Sequence, residues 1–198
     1  TAESNGYNPL SLRQVHESYL MWKKTLWRRV DLKEKQNKPF FARNREMSKI
    51  IIEAVERGVL IPYNSDSVND SNVMSREEFI ENIQQVDEEI EEEEEFGFDL
   101  DDPFAGFEEG DDPFAEEVEE IETGPIFIPK REFSIFEIKE DLYFDRIHSR
   151  IYFDIQAITM YLPGDSFYNP AGFEKPIASF RFIDLYNLFK SMSRDAIW

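Results

Sequence analysis

Residues 86–123 hold 20 acidic and no basic side chains, and this segment constrains the fold more than any other feature of the chain. The formal net charge of the whole 198-residue chain is −20, so the flanking parts are together neutral. A segment this acidic cannot bury enough apolar surface to offset the entropy lost when its backbone becomes ordered. We therefore expect a disordered acidic tract between two folded lobes, residues 1–85 and 124–198.

The N-terminal lobe is predicted to be helical. A capping-box pattern at Ser11 precedes an apolar stripe at helical spacing, which predicts a first helix. The stripe consists of Val15, Tyr19, Trp22 and Leu26. A second helix is expected from about Arg45 to Gly58, followed by a short strand at 59–61. Ser75, with Glu78 three residues later, predicts the start of a third helix.

The C-terminal lobe is predicted to be rich in antiparallel β-structure. Residues 133–144 and 150–161 have the pattern of a hairpin, with its turn at 145–149. In the second strand the apolar residues alternate onto one face: Ile151, Phe153, Ile155 and Ala157. A further strand near 177–182 and a final short helix complete the lobe. The fold class is therefore α+β, with a helical lobe and a β-rich lobe joined by the acidic tract.

No motif of enzyme chemistry is present in the sequence. There is no cysteine, and His16 and His148 lie in no metal-ligand spacing, so nothing points to a metal or another cofactor. Most carboxylate pairs lie in the acidic tract, whereas acid–base catalysis needs groups held in a fixed geometry. Nucleic-acid binding is disfavoured by the charge, and no apolar run approaches the ~20 residues of a membrane-spanning helix.

The acidic tract contains the sequence DDPFA twice, at 101–105 and 111–115. A solvated linker, a docking segment with Phe104 and Phe114 as anchors, and a calcium site are three interpretations of it. The calcium site is the weakest, because the glycine and the final glutamate of an EF-hand loop are missing. The residues alone leave the other two open.

Three stretches resemble the GldN/PorN family of gliding-motility proteins. Residues 29–39 (RVDLKEKQNKP) resemble its RxIDLREKxNxP segment, and residues 51–63 (IIEAVERGVLIPY) its helix–glycine–strand segment. Residues 138–155 (IKEDLYFDRIHSRIYFDI) resemble its IKEDxxFD hairpin and the strand that follows. Leu142 departs from the aromatic residue expected there, and the doubled DDPFA is not a family-wide feature, so the resemblance assigns the tract no role.

The resemblance implies a non-enzymatic component of the type IX secretion system, in the periplasm at the inner face of the outer membrane. Members of the family join the lipoprotein GldK (PorK) in a large ring, which is expected to meet the shaft protein GldM (PorM). The sequence begins at Thr1 rather than Met, which agrees with a leader having been removed. The alternatives are a monomeric periplasmic acidic adaptor or chaperone and, from another class, a metal-dependent hydrolase that uses rigid carboxylates.

If the function is assembly, we expect the contacts in loops carried by a rigid scaffold. The candidate partner-binding residues come from the loop at 31–41, from the hairpin tip and from the acidic tract. They are Asp31, Lys35, Asn37, Pro39, Phe40 and Phe41, then Asp145, His148 and Arg150, and finally Phe104 and Phe114.

Overall fold

The structure is a computed structural model that describes residues 6–85 and 127–195, with side chains as far as residue 192. A four-stranded antiparallel sheet in the order β1-β2-β3-β4 forms its centre. The strands are β1 (Leu20–Asp31), β2 (Ile135–Asp145), β3 (Arg150–Leu162) and β4 (Lys175–Arg181). The helices are α1 (Met47–Glu56), α2 (Arg76–Asn82) and α3 (Phe182–Asp195), and short 3-10 turns occur at Glu17–Tyr19, Lys35–Phe41 and Asp70–Asn72.

The first predicted helix is wrong, because its second half is strand β1. β1 pairs with β2 from Leu20 to Asp31, with one irregularity near its start. Its cations meet acids across the ladder: Lys23 lies 2.8 Å from Asp141, and Arg28 lies 2.8 Å from Glu140. The helical spacing of the apolar residues is thus overridden by pairing with a strand more than 100 residues away, as often happens to local propensity.

The hydrogen-bond pattern of β1 gives the direction of each backbone group. The Leu32 N–H donates to the Ser134 carbonyl at 2.9 Å, and the register of the two strands continues from that pair. Antiparallel ladders alternate, so Lys24 and Leu26 bond to β2, whereas Lys23 and Thr25 direct their N–H and C=O groups away from it. β1 is one edge of the sheet, and among the described residues no strand pairs with its outer side.

The predicted hairpin is confirmed as β2 and β3, joined by the turn at 146–149. Ile151, Phe153 and Ile155 share one face, as expected from their alternation. The prediction for Ala157 is wrong, because a bulge leaves Gln156 without a partner residue on β2 and reverses the alternation after it. One strand therefore presents apolar residues on both sheet faces.

Helices α1 and α3 cover one half of one sheet face. Ile51 and Ile52 of α1 are fully buried, and they share a core with Phe136, Met160 and other apolar residues of the sheet. Helix α2 begins after Ser75, whose side chain accepts the Glu78 N–H at 3.0 Å, as the sequence predicts. An antiparallel sheet with separate helices agrees with the predicted α+β class.

The strand predicted at 59–61 is wrong. The N–H groups of Gly58, Val59 and Leu60 bond back to carbonyls of α1, and Gly58 has a φ of +71°. This segment therefore terminates the helix, for which a glycine with positive φ is suited.

The prediction of a separate helical lobe at the N-terminus is also wrong, because that part of the chain contributes the edge strand β1. Through the pairing of β1 with β2, the residues before 85 and those after 127 form one sheet and share one core. None of the helices in the described part of the chain combines the length and the hydrophobicity that a membrane-spanning segment requires.

Candidate partner-binding surfaces

The loop at 31–41 is held in shape by its own polar side chains. Asp31 accepts the Lys33 N–H at 2.8 Å, and the Asn37 side chain donates to the Asp31 carbonyl at 2.7 Å. Asp31 and Asn37, both predicted to bind a partner, thus hold the loop in its 3-10 conformation. Lys35, in contrast, is exposed and free of such a structural role in the described contacts.

The aromatic end of this loop borders an apolar groove, which we call the loop groove. Pro39 and Phe40 lie at its edge, and Phe40 is 55% exposed. Phe41 is half-buried and packs beneath the Arg131 guanidinium, 4.8 Å from its ring centre. The groove has a volume of about 540 Å³, enough for a large side chain or a small ligand. Its walls come from the loop, β2, β3, α1 and α3: Leu32, Pro39, Phe40, Arg45, Met47, Ile50, Phe136, Ile138, Ile158, Phe182, Leu185 and Phe189.

The half of the same sheet face that the helices leave uncovered carries large apolar side chains, which we call the apolar sheet end. It comprises Trp22, Leu142, Phe144, Ile151 and Phe153. Phe153 is 63% exposed, Ile151 55% and Trp22 42%. They lie in cross-strand rows, with Phe144 between Trp22 and Ile151. Isolated exposed apolar residues are normal, but a contiguous set of this kind marks an interaction surface.

The apolar sheet end was not predicted from the sequence, for a specific reason. The helical spacing predicts a helix at Trp22, and the alternation of Ile151 and Phe153 indicates a shared face but not what covers that face. The signal that could have found it is the length of the hairpin. At about 3.3 Å per residue, strands of 11 and 13 residues run well beyond the 10 residues of α1, which rise about 15 Å.

The hairpin tip holds the remaining predicted residues of the described part of the chain. Asp145 is buried and accepts the backbone N–H groups of Ile147 and His148, at 2.8 and 3.2 Å. Its carboxylate lies 2.6 Å from His148 Nδ1, and this hydrogen bond is the largest cause of the lowered pKa of Asp145. Asp145 and His148 thus stabilise the turn, whereas Arg150 is exposed beside it.

The opposite sheet face carries a polar cluster under the N-terminal segment. Asp141 and Asp154 are paired across β2 and β3, and Gln156 Nε2 donates to Asp154 at 2.8 Å. Burial raises the pKa of Asp154, and the charge of Asp141 adds to the effect. Asn8 donates to Gln156 at 2.6 Å. The space here is about 30 Å³, roughly that of one water molecule, so the cluster ties the N-terminal segment to the sheet.

The candidate sites are therefore spread over the molecule. The loop at 31–41 adjoins the first residue of β2, whereas Asp145 and Arg150 lie at the far end of the hairpin. Phe104 and Phe114 lie outside the described residues. Within the described part of the chain, no group of three or more His, Cys, Asp or Glu side chains is arranged to hold a metal ion.

The comparisons with known proteins agree with the resemblance read from the three sequence segments. The family model described as gliding motility associated protein GldN matches residues 15–198, which is nearly the whole chain. No curated protein matches the chain. The match includes β1, the loop at 31–41, the hairpin and α3, and so covers the elements that build both apolar surfaces. The chain therefore belongs to the GldN family, whose members are gliding motility associated proteins.

Proposed function

We propose that this chain is a structural subunit of the type IX secretion and gliding machinery. In this proposal it forms a periplasmic ring with a GldK/PorK-type lipoprotein at the inner face of the outer membrane, and it contacts a GldM/PorM-type shaft protein. Family membership supports a role in gliding motility. The ring and the named partners come from the resemblance and are the part that experiments must test.

The observation that carries the proposal is the apolar sheet end. Phe153 and Ile151 are more than half exposed although they belong to a strand that is paired with β2 along this stretch. A subunit of a permanent assembly buries such residues against its partner, since obligate interfaces are more apolar than ordinary surface. The five side chains of this patch are uncharged, and the exposed Lys24 lies beside them on the edge strand, opposite Leu142. A largely apolar surface of this kind suits a lasting contact better than a transient one. We assign the apolar sheet end to the lipoprotein.

The loop groove supplies a second and separate surface. A ring needs at least two different patches on each subunit, because its contacts are heterologous and close by rotation. The groove lies against Phe136 and Ile138 near the start of β2, whereas Phe144 belongs to the other end of that strand. Two apolar surfaces at opposite ends of one hairpin therefore meet the geometric requirement.

Co-expression with the GldK-type lipoprotein of the same genome tests the proposal. The two proteins are purified together, separated by size exclusion and viewed by negative-stain microscopy. The proposal predicts co-elution in a high-mass species with ring outlines. A monomeric chain that never co-elutes with the lipoprotein would refute it and would favour the adaptor or chaperone alternative.

A further inference from the structure

The loop groove is apolar inside, and the loop that forms one of its walls is positively charged. Residues 33–45 carry five cations and a single acid, and all five cations are exposed. They are Lys33, Lys35, Lys38, Arg43 and Arg45. Arg45 itself lines the groove, and Phe40 stands beside it at the edge. Glu46, the next acid along the chain, is buried and lies 4.0 Å from Arg131, so it faces a cation outside this loop.

This combination selects a particular kind of ligand. An apolar cleft with Arg45 in its lining and further cations on the adjoining loop favours a segment with one bulky apolar anchor next to acidic residues. The cleft volume of about 540 Å³ leaves room for an aromatic side chain together with its neighbours. A proline close to the anchor would lower the entropy lost on binding, because it restricts the free segment.

The chain itself contains that kind of segment twice. In the two DDPFA motifs, at 101–105 and 111–115, a phenylalanine follows two aspartates and a proline. The surrounding residues 86–123 contain no cation, so nothing within that tract neutralises the aspartates. The most acidic segment of the chain and its most basic loop thus have complementary charge.

We propose that the loop groove binds a DDPFA motif of a second copy of this chain, with Phe104 or Phe114 in the groove and the aspartates against Arg45 and its neighbours. The contact joins two different surfaces, the groove of one copy and the tract of the next, and so it is heterologous. This is the type of contact that a ring repeats, and the inference deepens the proposed function by naming the self-contact. Two motifs on one tract also raise the effective concentration of the anchor near a neighbouring groove.

Met47 offers a direct probe, because it lines the groove and is one of five methionines in the chain. The full-length F104A/F114A chain is labelled with ¹³C in its methionine methyl groups, so that its own motifs cannot fill its groove. Unlabelled wild-type chain is then added, and the methyl resonance of Met47 is followed, with the M47L variant for assignment. Met21 is 69% exposed on β1, away from the groove, and serves as the internal control.

The proposal predicts a saturable shift of the Met47 resonance with no shift of Met21. With unlabelled F104A/F114A chain as the titrant, the apparent affinity falls by about tenfold or more, as for loss of an aromatic anchor. The F96A/F98A chain removes two phenylalanines of the same tract outside the motifs, and it should bind like wild type. Raising the salt concentration should weaken binding, because the cations of the loop are exposed.

Three results would overturn the proposal. The first is an unmoved Met47 resonance with the wild-type titrant. The second is an equal shift with the wild-type and F104A/F114A titrants, since the contact would then not depend on the motif. The third is a labelled wild-type chain whose Met47 resonance differs from that of F104A/F114A at every dilution, because the occupant would then be the same chain. The titration contains no lipoprotein. A negative result in the titration would therefore refute the self-contact and leave the co-elution test of the proposed function unaffected.

Discussion

Replacement of Phe153 by serine separates stability from binding at the apolar sheet end. Phe153 is 63% exposed in the folded chain, so only about a third of its apolar surface is buried there. Complete burial of a phenylalanine stabilises by about 3 kcal/mol. Folding therefore gains about 1 kcal/mol from this side chain, and about 2 kcal/mol remains for a partner that covers it.

Two assays measure these two parts. Urea unfolding of the free F153S chain should give an unfolding free energy lower by about 1 kcal/mol, with an unchanged denaturant slope. Binding of the same variant to the lipoprotein, measured by calorimetry, should be weaker by about 2 kcal/mol, or roughly 30-fold in Kd. The larger effect is thus expected in the complex and the smaller one in the free chain.

Phe167 provides the matched control, because it is 89% exposed and lies between β3 and β4. Phe167→Ser changes the same pair of side chains and should alter neither stability nor binding by more than about 0.5 kcal/mol. Equal binding losses for F153S and F167S would refute the assignment of the surface. A loss of several kcal/mol in the free F153S chain would show that Phe153 belongs to the core instead.

Three further predictions concern the fold and its titrating groups. Lys24→Pro should destabilise the chain by about 1–3 kcal/mol more than Lys23→Pro, because only the Lys24 N–H bonds to β2; similar urea midpoints for the two would contradict the register of β1. Asp145→Asn should destabilise at pH 7. The difference in stability from wild type should begin to shrink as the pH falls to about 4 and should disappear only below the lowered pKa of Asp145, since a lowered pKa stabilises only where the carboxylate is ionised. Asp154→Asn should behave in the opposite way. Burial raises the pKa of Asp154, so wild type loses stability as the pH rises through that pKa. The stability of the variant relative to that of wild type should therefore be higher at pH 7 than at pH 3. Thermal unfolding across this pH range checks both carboxylates, and parallel curves for variant and wild type would contradict either assignment.

The hairpin and the later helices could be predicted from the sequence because their signals are local. Alternation of apolar residues and a polar turn identify β2 and β3, and the hydroxyl of Ser75 identifies the start of α2. In each case the residues that determine the structure lie within a few positions of one another.

Strand β1 and the loop groove could not be predicted in this way. The apolar residues of β1 happen to recur at helical spacing, and the acids that pair with Lys23 and Arg28 lie more than 100 residues further along the chain. The groove likewise draws its walls from Met47, Phe136 and Phe189, which only the tertiary fold brings together. For the polar loop residues, the pattern identified the segment but not the internal bonds of Asp31 and Asn37.

The assignment of the apolar sheet end to the lipoprotein is tested most directly by photo-crosslinking at this surface within assembled machinery. A photoreactive amino acid is placed at Ile151, which is 55% exposed, and in a parallel chain at Phe167. A covalent adduct with the lipoprotein is expected from position 151 and none from position 167. An adduct of equal yield from both positions, or no adduct from position 151 in machinery that contains the chain, would contradict this assignment.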